Sequence, residues 1–83
     1  MPLARLSAAR KKTVGSKQTL KAIQRGEAKA VYLARDAEKH VTEPLRQACI
    51  DNNIAVVEVD SMRLLGKTCG INVGCASAAI IED

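Results

Sequence analysis

Apolar positions along the chain recur in two alternating spacings. Leu3 and Leu6, with alanines at 4, 8 and 9, support a short first helix that ends in the basic run Arg10-Lys11-Lys12. Thr13-Val14-Gly15 is long enough only for a strand fragment. Ser16 then reads as the N-cap of a helix running from Lys17 to about Arg25 and stopped by Gly26, with Leu20 and Ile23 pointing inward. Ala30 to Ala34 is an unbroken apolar run flanked by charges, the mark of a strand buried on both faces. Arg35 to Glu38 leaves it as a polar loop. Thr42, followed by Glu43 and Pro44, starts a helix whose apolar face is Leu45, Ala48 and Cys49 and whose end is Asp51-Asn52-Asn53. Ile54 to Val59 is a Val-rich strand, and Ser61 caps a helix bearing Leu64 and Leu65 that closes at Gly70. After the apolar loop 71–75, residues 76–81 form a last strand. The alternation predicts an α/β fold: a three-layer α/β/α sandwich around a small mixed four-stranded sheet, in one domain spanning residues 1–83.

Charge adds an asymmetry to this pattern. The formal net charge is +4, but residues 1–41 carry ten Lys/Arg against three Asp/Glu, whereas residues 42–83 carry three against six. The N-terminal half therefore holds the candidate polyanion surface. Composition removes one large class of RNA binders, because Tyr32 is the only aromatic and two or three rings are needed to stack bases. No apolar run is long enough for a bilayer and the first residues lack a secretory h-region, so a cytoplasmic protein is expected. Cys49, Cys69 and Cys75 form no Cys-x-x-Cys pair and read as reduced, mostly buried thiols.

The candidate chemistry centres on residues 15–21. Gly15 permits the backbone turn into a helix whose first N–H groups face outward and attract anions. Lys17 and Lys21 lie one turn apart with Gln18 between them in angle, and Arg25 extends the stripe by a second turn. Spacing alone favours an ordinary solvated helix face. The helix-start position and the Gly-Ser entry point instead to phosphates and to the acceptor-rich edges of purines. A P-loop is excluded, since the second glycine and the Gly-Lys-Ser/Thr ending are missing. The loop of Ile71, Asn72, Val73, Gly74 and Cys75 is either a tight connection whose Ile71 and Val73 dip into the core or an apolar ridge that covers unstacked bases, with Lys67 nearby to hold a phosphate. His40 has no serine or cysteine signature to pair with, Asp36 and Glu38 have no pocket to perturb them, and the cysteines lack zinc-ligand spacing. Neither an enzyme nor a cofactor is expected.

The string Gly15-Ser-Lys-Gln-Thr-x-Lys21, with Arg25-Gly26, Ala34-Arg-Asp-Ala37 and Ser61-x-x-x-Leu-Gly66-Lys-x-Cys-Gly70, resembles the kink-turn RNA-binding L7Ae/L30e family of ribosomal proteins. The likeness spans essentially the whole chain and is greatest to the short bacterial YbxF-type members. It implies an α/β/α sandwich that binds an RNA helix bent at a three-nucleotide bulge followed by tandem sheared G·A pairs. In that resemblance Gly15, Ser16, Lys17, Gln18 and Lys21 face the sheared pairs and their phosphates, with Arg25 on the same basic stripe. Residues 71–75 pack over the bulge, Glu38, Thr42 and Met62 lie near an extruded base, and Arg35 and Lys67 are additional contacts. The implied partner is kink-turn RNA, ribosomal or regulatory, met by a monomer with no membrane contact.

Two departures from the family pattern stand out. Most archaeal and eukaryotic relatives have Asn-Glu where this chain has Lys17-Gln18, and many have Lys where it has Met62. Gln in place of Glu loses an acceptor-only carboxylate suited to guanine protons, while Lys17 adds salt-sensitive phosphate affinity. A protein-interaction adaptor of the same fold, without RNA binding, remains the alternative.

Overall fold

The computed structural model describes residues 2–83 and contains eight elements in strict alternation: α1 (Pro2–Ala8), β1 (Lys11–Val14), α2 (Ser16–Gln24), β2 (Ala30–Ala34), α3 (Lys39–Asp51), β3 (Ala55–Val59), α4 (Met62–Thr68) and β4 (Ser77–Glu82). The strands form one mixed sheet in the order β1-β4-β2-β3, with β2 and β3 parallel and the other pairs antiparallel. Helices cover both of its faces, giving the expected three layers.

Strand β2 shows why. All five of its residues are buried, and successive side chains go to opposite faces. Ala30, Tyr32 and Ala34 join Leu6 of α1 and Leu65 of α4 in one core, together with Ala78 and Ile80. Val31 and Leu33 join Ala22 and Ile23 of α2, Leu45 and Cys49 of α3, and Ala79 in the other. The register sets Tyr32 beside Ala78, so small neighbours make room for the one large ring. The edge strand β3 is less buried, with only Val59 fully covered.

Several element ends differ from the sequence-based expectation. The first helix closes at Ala8, and Lys11 and Lys12 are in β1, opposite Glu82 and Ile80. Lys12 still serves the helix, because its Nζ donates to the carbonyls of Leu6 and Ser7 at 3.1 and 3.3 Å and so satisfies part of the C-terminal turn. Helix α2 includes Ser16, and the N-cap is Gly15 at φ 93°, ψ 155°. Ser16 does not cap because its Oγ is engaged as the acceptor of the buried Ser77 hydroxyl at 3.2 Å. Helix α3 begins at Lys39, three residues before Thr42. Thr42 faces inward, and Pro44 lies in the helix interior. The inward residues of α2 are Thr19, Ala22 and Ile23, while Leu20 is half-buried. Burial of Thr19 is tolerated because its hydroxyl bonds that of Thr13 at 3.0 Å.

Other stops are as the residues predict. Ser61 Oγ accepts from the Leu64 N–H at 3.0 Å, Gly26 and Gly70 follow their helices at φ 70° and 81°, and Asn53 takes φ 57° after α3.

Candidate nucleic-acid interface

The strand directions bring four junctions to one end of the sheet. The C-terminal ends of β1, β2 and β3 lie beside the N-terminal end of β4, so the β1–α2, β2–α3, β3–α4 and α4–β4 connections are neighbours. Backbone bonds tie them together. Gly15 N–H donates to Ser77 O at 2.9 Å, Ala34 N–H to Ala76 O at 2.9 Å, Arg35 N–H to Val59 O at 2.8 Å, and Cys75 N–H to Met62 O at 3.1 Å. Asp36, in the β2–α3 connection, accepts from the Met62 N–H at 2.7 Å and satisfies a donor at the first turn of α4. Spacing gives Asp36 no partner, although it belongs to the Ala34-Arg-Asp-Ala37 string, because Met62 is 26 positions away.

At the start of α2 the first helical bond runs from Thr19 N–H to Gly15 O at 3.0 Å, and no side chain caps the turn. The N–H groups of Ser16, Lys17 and Gln18 therefore precede the helical ladder and face the junction. Lys17, Gln18 and Lys21 are exposed around them. Lys17, Lys21, Arg25, Arg35 and Lys67 have no ion-pair partner among the described residues. At the opposite end of the sheet Arg5 and Lys29 contact Asp83 and Arg10 contacts Glu82, whereas Lys11 has no ion-pair partner among the described residues.

The 71–75 loop is fitted to α4 by two glycines. A Cβ on Gly66 would fall 2.0 Å from the Val73 carbonyl oxygen, and one on Gly74 would lie 3.1 Å from Met62. Ile71 N–H reaches Gly66 O at 3.1 Å. Of the two readings of this loop, the ridge describes Val73, which is 71% exposed; it does not dip into the core. Ile71 is half-buried, Asn72 and Gly74 are exposed, and Cys75 turns its side chain inward. Burial pushes the Cys75 thiol up to about 11, with the neighbouring Cys69 adding to the shift, so it stays protonated at neutral pH.

Not all candidate residues meet at this end. Gly15, Ser16, Lys17, Gln18, Arg35, Glu38, Met62 and the 71–75 loop do, with Lys21 one turn further along α2. Thr42 is buried behind them. His40 is in the first turn of α3, exposed, with Nδ1 3.2 Å from Glu38. Arg25 is the C-cap of α2, about 12 Å along the axis from Lys17. Lys67 lines a groove between α1 and α4 with Leu3, Ala4, Ser7, Leu64 and Thr68.

The chain matches the model of the Ribosomal protein L7Ae/L30e/S12e/Gadd45 family over residues 3–83. It belongs to that family. Among L7Ae-family relatives, an RNA-binding protein of Caldanaerobacter subterraneus subsp. tengcongensis is 48% identical over 69 residues, 83% of this chain and 84% of the relative. RNA-binding protein YbxF of Geobacillus stearothermophilus is 44% identical over the same shares. The solved structure of the Giardia lamblia 15.5kD RNA binding protein superposes with a TM-score of 0.86 at 27% identity, over 98% of this chain and 68% of that one. The L7Ae-family architecture is thus kept by a chain whose described helices include none long and apolar enough to cross a membrane.

Proposed function

We propose that this family member is a non-catalytic RNA-binding protein that recognises kink-turns and stabilises their bent form. The observation that supports this most is the pairing of the open α2 start with the 71–75 ridge on one end of the sheet, joined through the Gly15 to Ser77 backbone bond and the Ser16 to Ser77 hydroxyl bond. Relatives named as RNA-binding proteins point the same way.

In this reading the α2 amides and Lys17 and Lys21 hold phosphates, and Gln18 addresses the edges of sheared G·A pairs. Val73 and Ile71 cover the bulge nucleotides, with Asn72 and the Gly74 backbone beside them. Glu38, Met62 and Arg35 surround an extruded base, Thr42 supports them from behind, and Cys75 contributes backbone only. Arg25 and Lys67 are outlying charges that attract the phosphate chain. Binding only the bent form shifts a mobile RNA hinge towards it. Ribosomal RNA and regulatory RNAs are both sources of such motifs, met by a cytoplasmic monomer.

The test is an electrophoretic mobility shift against a kink-turn RNA and the same RNA with its sheared G·A pairs replaced by Watson–Crick pairs. Tighter binding to the intact motif is expected. Equal affinity for the two would refute kink-turn recognition while leaving RNA binding intact.

A further inference from the structure

On one face of the sheet the covering layer is thin, because α1 and α4 have seven residues each and so are about 10 Å long. Between them runs an open groove of about 410 Å³ lined by Leu3, Ala4, Ser7, Leu64, Lys67 and Thr68. That volume is near the small end of the roughly 300–1,000 Å³ typical of ligand sites. Leu64 is 37% exposed there, although the adjacent Leu65 is fully buried. We propose that this groove docks an acidic amphipathic helix of a partner protein, on a face of the molecule separate from the α2 end.

Charge selects the occupant. Neither helix carries a carboxylate: Arg5 is the one ionisable side chain of α1, and Arg63 and Lys67 are those of α4. Arg63 and Lys67 have no ion-pair partner among the described residues. An aliphatic floor with the unpaired Lys67 in its lining and Arg63 one turn before it on α4 suits a helix that presents two leucine-like side chains one turn apart, with Asp or Glu on its flanks. A second copy of this chain fits poorly, because two-fold pairing would bring basic helices against each other. RNA fits poorly too. The groove offers no ring for a base to stack on, the one aromatic being the buried Tyr32.

The experiment uses the full chain, isotopically labelled. The probe is a fluorescein-labelled helical peptide with two leucines one turn apart and flanking glutamates, and its control carries lysine at each glutamate. The acidic peptide is expected to bind by anisotropy, with amide shifts confined to residues 3–8 and 63–68. Ala4→Glu places a carboxylate at an exposed α1 position and should weaken binding about fivefold or more, as should Arg63→Glu. Thermal melts confirm that both variants fold. The proposal is overturned by equal binding of the lysine peptide, by shifts elsewhere, or by no binding at about 1 mM peptide. It is also overturned if kink-turn RNA moves the amides of residues 3–8, or if protein self-association moves the groove amides.

Discussion

Gly66→Ala separates a glycine kept for a close approach from one that merely tolerates a helix. In an unobstructed helix interior the change would stabilise by about 1 kcal/mol, the difference in helix propensity. Here the new Cβ would be 2.0 Å from the Val73 carbonyl oxygen, 3.0 Å from its carbon and 3.1 Å from Gly74 Cα. An unstrained contact lies at about 3.5 Å, so something must move by about 1.5 Å. The obstacle is backbone, held by the Ile71 to Gly66 and Cys75 to Met62 bonds at 3.1 Å each. Either those bonds break, at about 0.5–1.5 kcal/mol each, or α4 lifts and uncovers Leu65, an overpacking cost of about 1–3 kcal/mol. Set against the propensity gain of about 1 kcal/mol, the net expectation is a loss of up to about 2 kcal/mol. Urea unfolding measures it directly, and a thermal melt should fall by about 4–8 °C for each kcal/mol. RNA affinity should fall beyond the loss of folded protein, because the 71–75 ridge is displaced. A variant more stable than the wild type, with unmoved loop amides, would refute the argument.

Three further outcomes follow from the same geometry. Lys21→Ala should flatten the slope of log affinity against log salt for RNA by about one, if this side chain neutralises one phosphate; an unchanged slope removes Lys21 from the interface. Asp36→Ala should cost about 1 kcal/mol in urea unfolding by orphaning the Met62 N–H, whereas Asp36→Asn keeps an acceptor and should recover most of it; equal losses would mean the bond contributes little. The raised thiol of Cys75 makes stability complete below its unfolded value near 9 and progressively lost as pH rises towards its folded value of about 11. Wild type should therefore lose stability more steeply than Cys75→Ala across that window, and parallel curves would show that the thiol is not protected by folding.

The element order was legible because each buried run is bounded by residues whose preferences are local. Ser61 caps through its own turn, and Gly26 and Gly70 adopt the positive φ that helix ends favour. What was not legible depends on partners distant in sequence. Ser16 has the composition of a cap, yet Ser77, 61 positions on, takes its hydroxyl. Thr19 looks polar and is buried only because Thr13 meets it. Pro44 suggested a helix start, but the chain enters α3 earlier and carries the proline inside. For the candidate interface, the basic stripe and the apolar loop were both visible in spacing, whereas the strand directions that bring most of these residues to one sheet end were not. The outlying positions of Arg25 and Lys67 come from helix length and helix direction, which a motif string does not encode.

The uneven pairing of cations bears on how encounters begin. At the end where β4 finishes, Arg5, Arg10 and Lys29 are matched by Glu82 and Asp83; at the junction end and along α2, Lys17, Lys21 and Arg35 are not. The two ends are not opposite in charge, since Lys11 at the first has no ion-pair partner among the described residues and Asp36, Glu38 and Asp60 stand at the second. What differs is engagement: an anion approaching Arg5, Arg10 or Lys29 must compete with a carboxylate already in place, whereas one approaching Lys17, Lys21 or Arg35 need not. Attraction to the unengaged cations is strongest at low salt and fades as ions screen it.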